Sequence, residues 1–79
     1  MGASTMEERF IQIGIDFANQ VAREYEIPVT DELITKCQEY KWLWFVADMS
    51  DDYSKTIREQ SDLKDKLGSY IASIKNANA

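Results

Sequence analysis

Side chains that could do chemistry are few in this chain and poorly placed for catalysis. There is no histidine, which removes the commonest general base, the commonest metal ligand and every Ser/His or Cys/His nucleophile pair. The single cysteine, Cys37, falls in the middle of an apolar helical stripe. Burial as a small hydrophobe is its default there, and Lys41, one turn on, does little for a thiol that faces a core. Asp48, Ser50, Asp52, Thr56 and Glu59 match an EF-hand calcium loop in residue type and spacing. The glycine that the loop's sharp turn requires is Tyr53, however, and Lys55 stands where an apolar residue belongs. The cluster therefore reads as acids at a helix N-terminus. Asp51 and Asp52 are adjacent, so on a helix they point in different directions. Gly2, Gly14 and Gly68 are isolated and form no phosphate-binding loop. One cysteine without histidine offers no zinc spacing. These residues imply no catalytic site, no metal site and no cofactor, hence a protein that is not an enzyme.

The elements that would position any site are helices. Ser4 and Thr5 each precede a glutamate by three residues, Glu7 and Glu8, and either pair makes a capping box for a helix starting near Met6. Pro28 biases Ile27 away from helical dihedrals and ends that helix near Glu26. Thr30 caps a second helix, with Asp31 and Glu32 in its first turn. Ser50-Asp51-Asp52 reads as a new cap followed by two first-turn acids, and a third helical pattern continues to about Lys75. No segment shows the period-two alternation of a strand. The expected fold is all-α, a compact three-helix bundle over about 6–26, 31–49 and 51–75, within one domain with short flexible ends at 1–4 and 76–79. A helical hairpin is the alternative. In it the second and third patterns fuse into one rod of roughly 65 Å at 1.5 Å per residue, which only an oligomer could cover.

Helical periodicity assigns the faces. The first helix carries two adjacent stripes, Phe10, Ile13, Phe17, Val21 and Ile11, Ile15, Ala18, Ala22, extended by Gly14 and Tyr25. A face that wide calls for two neighbours. Glycine costs roughly 1 kcal/mol against alanine inside a helix, so Gly14 implies close approach of another helix. Leu33, Cys37, Tyr40, Trp44 and Ala47 form one clean stripe on the second helix. Beyond Lys41 that helix becomes apolar all round, and Trp42, Phe45 and Met49 lie roughly opposite the stripe. The third helix offers Tyr53, Ile57, Leu63, Leu67, Tyr70, Ile71 and Ile74, interrupted by the polar run from Arg58 to Asp62.

The chain has 79 residues, 44% of them hydrophobic, and a formal net charge of −5. Its densest apolar run, Trp42 to Ala47, is far below the roughly 20 residues of a membrane span, so no membrane partner is expected. Met1 to Met6 lacks the basic residues and apolar core of a secretory signal. With one cysteine, this points to a reducing, cytoplasmic setting. Residues 1–52 hold eleven acids and four bases, and residues 53–79 hold three acids and five bases. An acidic body argues against nucleic acid as a partner, since affinity there comes largely from neutralised phosphates.

Two functional classes follow. In the first, this is a small acidic interaction module, an adaptor, inhibitor or regulator, working as a homo-oligomer or on a protein partner. Its contact surface is then Trp42, Phe45, Val46, Met49 and Tyr53, of types enriched at interfaces. In the second, it binds a small molecule or nucleotide between helices or at a subunit seam, stacking it on Arg23, Tyr25, Trp42 and Tyr53.

Overall fold

The computed structural model describes residues 6–77, with side chains from Glu8 onward. It has three helices, α1 (Met6–Tyr25), α2 (Asp31–Asp48) and α3 (Tyr53–Ala77). The capping boxes of Ser4 and Thr5 lie outside the described residues. Asn76 and Ala77, expected in a flexible end, are the last residues of α3.

The end of α1 is set by local geometry. Glu26 turns left-handed at φ 56°, and the Ile27 N–H donates back to the Ala22 carbonyl at 3.0 Å. This is a Schellman closure, with Ile27 buried beside its hydrogen-bond partner's turn. Thr30 caps α2 as its sequence implies, its hydroxyl oxygen accepting from the Leu33 N–H at 3.1 Å. The cap of α3 differs from expectation. Asp52 holds that position, its carboxylate accepting from the Lys55 N–H at 3.2 Å, while the Ser50 hydroxyl accepts from the Asp52 N–H at 3.2 Å. A serine turn and an aspartate cap thus follow one another, and α3 starts two residues later than the first hydroxyl suggests. The same four residues, Met49 to Asp52, separate α2 from α3, so the fused rod does not form. Across the polar run near Ser61, α3 continues unbroken.

Both α1 and α3 pack on α2 and touch each other little. The core lies where the C-terminal ends of α1 and α3 meet the N-terminal half of α2. It consists of Ala18, Val21, Ala22, Ile27, Leu33, Cys37 and Ile71, with Phe17, Ile34, Leu67, Tyr70 and Ile74 packed against it. Leu33 and Cys37 are wholly enclosed, as the clean stripe of α2 predicts. α1 and α2 approach closely at Gly14. A Cβ there would lie 2.8 Å from Gln38 Cα, and the Gln38 amide donates to the Ile11 carbonyl beside it at 3.4 Å.

The wide apolar face of α1 packs on α2 along its length and meets its second neighbour, α3, only at its C-terminal end. Gly14, Ala18, Val21 and Ala22 are buried, but Ile11, Ile13 and Tyr25 remain 40% exposed or more. The reason lies in the arrangement of the layers. The molecule is a slab of 42 × 41 × 16 Å, in which α3 does not fold back across α1 but lies on the other flank of α2.

Candidate functional site

The C-terminal half of α2 is where apolar side chains outnumber the helices available to cover them. On one flank, α1 brings Phe10 edge-on to Trp42, with ring centroids 5.1 Å apart, and against Phe45 at 5.2 Å. On the other, α3 is fastened through Thr56 and Gln60. The Thr56 hydroxyl donates to the Ala47 carbonyl at 2.9 Å. The Gln60 amide donates to the Trp44 carbonyl at 3.3 Å and to the Asp48 carboxylate at 2.7 Å. The polar run of α3 is therefore the part that seats against the end of α2. Two flanks cannot enclose a helix that is apolar all round. Trp42 keeps 45% of its surface exposed, Val46 42% and Met49 62%, on positions three and four apart and so on one face. Leu43, also exposed, is three residues from Val46. Tyr53, at the start of α3, is the most exposed large side chain of the set at 77%.

Of the residues singled out for an interface, Trp42, Val46, Met49 and Tyr53 are exposed, and Phe45 is half-buried beneath Phe10 and Trp42. Leu43 and Ile57, apolar positions of their helices that the interface set leaves out, are exposed as well. Leu43 could have been found by its spacing from Val46; Ile57 is exposed because the first turns of α3 stand clear of the core.

The residues singled out for a ligand do not come together. Arg23 and Tyr25 lie at the C-terminal end of α1, where Lys75 Nζ sits 6.0 Å from the centre of the Tyr25 ring. Trp42 packs on Phe10 near the opposite end. Fifteen residues of helix separate Phe10 from Tyr25, about 22 Å at 1.5 Å per residue. A groove does open between α2 and α3, lined by Lys36, Glu39, Tyr40, Leu43, Leu63, Lys66, Leu67 and Tyr70. Its volume of about 130 Å³ suits one apolar side chain and falls short of the roughly 300–1,000 Å³ of small-molecule sites.

Charge around the site is sorted by aromatic rings. Lys41 Nζ lies 4.3 Å from the centre of the Phe17 ring, and Lys64 Nζ 5.5 Å from that of Trp44. Lys36 Nζ is 5.6 Å from the Tyr70 ring at the groove. Cys37 is enclosed, and burial pushes its thiol above the usual range, with Lys41 pulling weakly the other way. The acids of the EF-hand-like run are engaged elsewhere: Asp48 with Gln60, Asp52 with the α3 cap, Glu59 with Lys55 at 3.9 Å. Among the described residues no group of three or more acidic or cysteine side chains could hold a metal ion. Nor is any described helix long and apolar enough to cross a membrane. In comparisons with protein-family models, curated proteins and solved structures, the chain matches none.

Proposed function

We propose that this protein is a small acidic helical interaction module, an adaptor, inhibitor or regulator without catalytic activity, that works as an oligomer through the open face of α2. One observation carries the reading. Trp42, Leu43, Val46 and Met49 share a face of one helix, all exposed, with Tyr53 directly beyond the turn. Large side chains left exposed together in this way make the kind of apolar patch that on a monomer is often functional. The marginal core of a 79-residue chain without a disulfide points the same way, because additional buried area from association stabilises such a fold.

The test is solution mass by light scattering over a wide concentration range, for wild type and Trp42→Ala, with thermal melts of both. A concentration-dependent oligomer that Trp42→Ala converts to a folded monomer is the expected result. A wild-type monomer in which Trp42→Ala costs the full 3–5 kcal/mol of a core aromatic would make the ring a folding element and end the reading.

A further inference from the structure

The open stripe of α2 is acidic over its first half and apolar over its second. Asp31, Thr35, Glu39, Trp42, Val46 and Met49 follow one another at spacings of three and four, so they share a face, and all are exposed. Asp51 and Asp52 stand exposed just beyond it. From Asp31 to Asp52 the sequence holds six carboxylates and two lysines. Both lysines are turned to the flanks, Lys36 Nζ 5.6 Å from the centre of the Tyr70 ring and Lys41 Nζ 4.3 Å from that of Phe17. On α3, Lys55 is paired with Glu59, and Lys66 stands on the far wall of the groove. Among the described residues Asp31, Glu39 and Asp51 form no ion pair. The stripe thus offers apolar surface framed by carboxylates that nothing on its own helix neutralises.

We propose that the partner of this stripe is a cationic amphipathic helix. Its apolar side covers Trp42, Val46 and Met49, and its Lys or Arg residues face Asp31, Glu39 and Asp51. The inference rests on the reading of the face as an interaction surface and names the chemistry of the partner. The main chain of α2 is bonded within the helix, so it has no hydrogen bonds to give an extended segment. A helix arrives with its own backbone satisfied. From Asp31 to Met49 the stripe runs about 27 Å at 1.5 Å per residue, the length of a helix of about 18 residues. The groove beside Leu43, about 130 Å³ in volume, takes one of its apolar side chains. An anionic lipid surface or a nucleic acid would set acid against acid. So would a second copy of a chain whose net charge is −5. A cationic helix makes the same apolar contact with the opposite charge, and so competes with self-association for the face.

The probe is a synthetic helical peptide of about 18 residues, with leucines along one side and lysines on the rest, beside the same peptide with glutamates for lysines. Titration calorimetry and light scattering are run on the full chain. The cationic peptide binds one per chain and reduces the oligomer to single chains carrying it, while the acidic peptide does not bind. Its affinity falls about tenfold or more between about 50 and 500 mM salt. Glu39→Lys and Asp51→Lys each weaken binding about three- to tenfold, and Val46→Ser, which changes no charge, about tenfold. Asp65→Lys, an equal change of charge on α3 outside the stripe, alters it less than about twofold. Circular dichroism of each variant checks that helix content is unchanged. Equal binding of the two peptides, or equal effects of Asp65→Lys and Glu39→Lys, makes the attraction one of net charge alone and overturns the site. A peptide that binds without dissolving the oligomer lies elsewhere and overturns it too. If Trp42→Ala dissolves the oligomer but the cationic peptide does not bind, the face stands as an interaction surface and the cationic partner is wrong.

Discussion

The Thr56 hydroxyl donates to the main-chain carbonyl of Ala47 at 2.9 Å, across the turn between α2 and α3. The same hydroxyl lies 3.2 Å from the Asp52 carbonyl one turn back along α3, and Thr56 is buried. This contact and the Gln60 bonds beyond it tie the start of α3 to the C-terminal end of α2. Thr56→Val keeps the shape and removes the donor. It is expected to lower stability by about 1 kcal/mol, the net value of one buried hydrogen bond, while Thr56→Ser retains the bond. Urea midpoints of the three proteins check this.

Gly14 sits at the crossing of α1 and α2, where a Cβ would be 2.8 Å from Gln38 Cα. Backbone on the other side cannot yield as a flexible side chain could. Gly14→Ala therefore destabilises by about 1–3 kcal/mol through overpacking, even though alanine is the better helix former by roughly 1 kcal/mol. A melting temperature that rose with this substitution would mean the two helices are not in contact there.

Glu26 adopts a left-handed conformation, φ 56°, at the end of α1. Its side chain is exposed, so the fold loses nothing by removing it. Glycine has no Cβ to strain in this region, and Glu26→Gly is expected to stabilise by about 0.5–1 kcal/mol. Chemical denaturation of the two chains at one pH measures the difference.

Cys37 is held neutral by burial, its thiol pushed above the ordinary value of about 8.5. A thiol raised on folding binds its proton more tightly in the native state than in the unfolded chain. Its contribution to stability is complete below the unfolded value and declines as pH rises through it toward the folded one. The difference in unfolding free energy between wild type and Cys37→Ala should be flat up to about pH 8 and shrink above it. Subtracting the variant removes the parallel alkaline effect of Tyr40, whose phenol burial also raises; that of Tyr70, likewise raised by burial, cancels only in part, because Cys37 itself helps to raise that phenol. Thiol reagents should label Cys37 only under conditions that open the core.

The three helices, their approximate ends, the Thr30 cap, the buried stripe of Leu33 and Cys37 and the close approach at Gly14 were all legible in the order of residues. Each depends on local backbone chemistry or on a 3.6-residue period, and both act within a few turns of chain. The excess of apolar side chains around the end of α2 was legible for the same reason. Which of them would be covered was not. That depended on α3 lying across α2 from α1 rather than over it, with Thr56 and Gln60 reaching the carbonyls of Ala47 and Trp44. These partners are nine and sixteen residues distant and leave no periodic trace in the sequence. The same arrangement left Ile11 and Ile13 of α1 without the second neighbour their stripe implied. It also set Arg23 and Tyr25 at the far end of α1 from Trp42. A helix face records how much apolar surface must be buried, while the crossing of two other helices decides where that burial falls short.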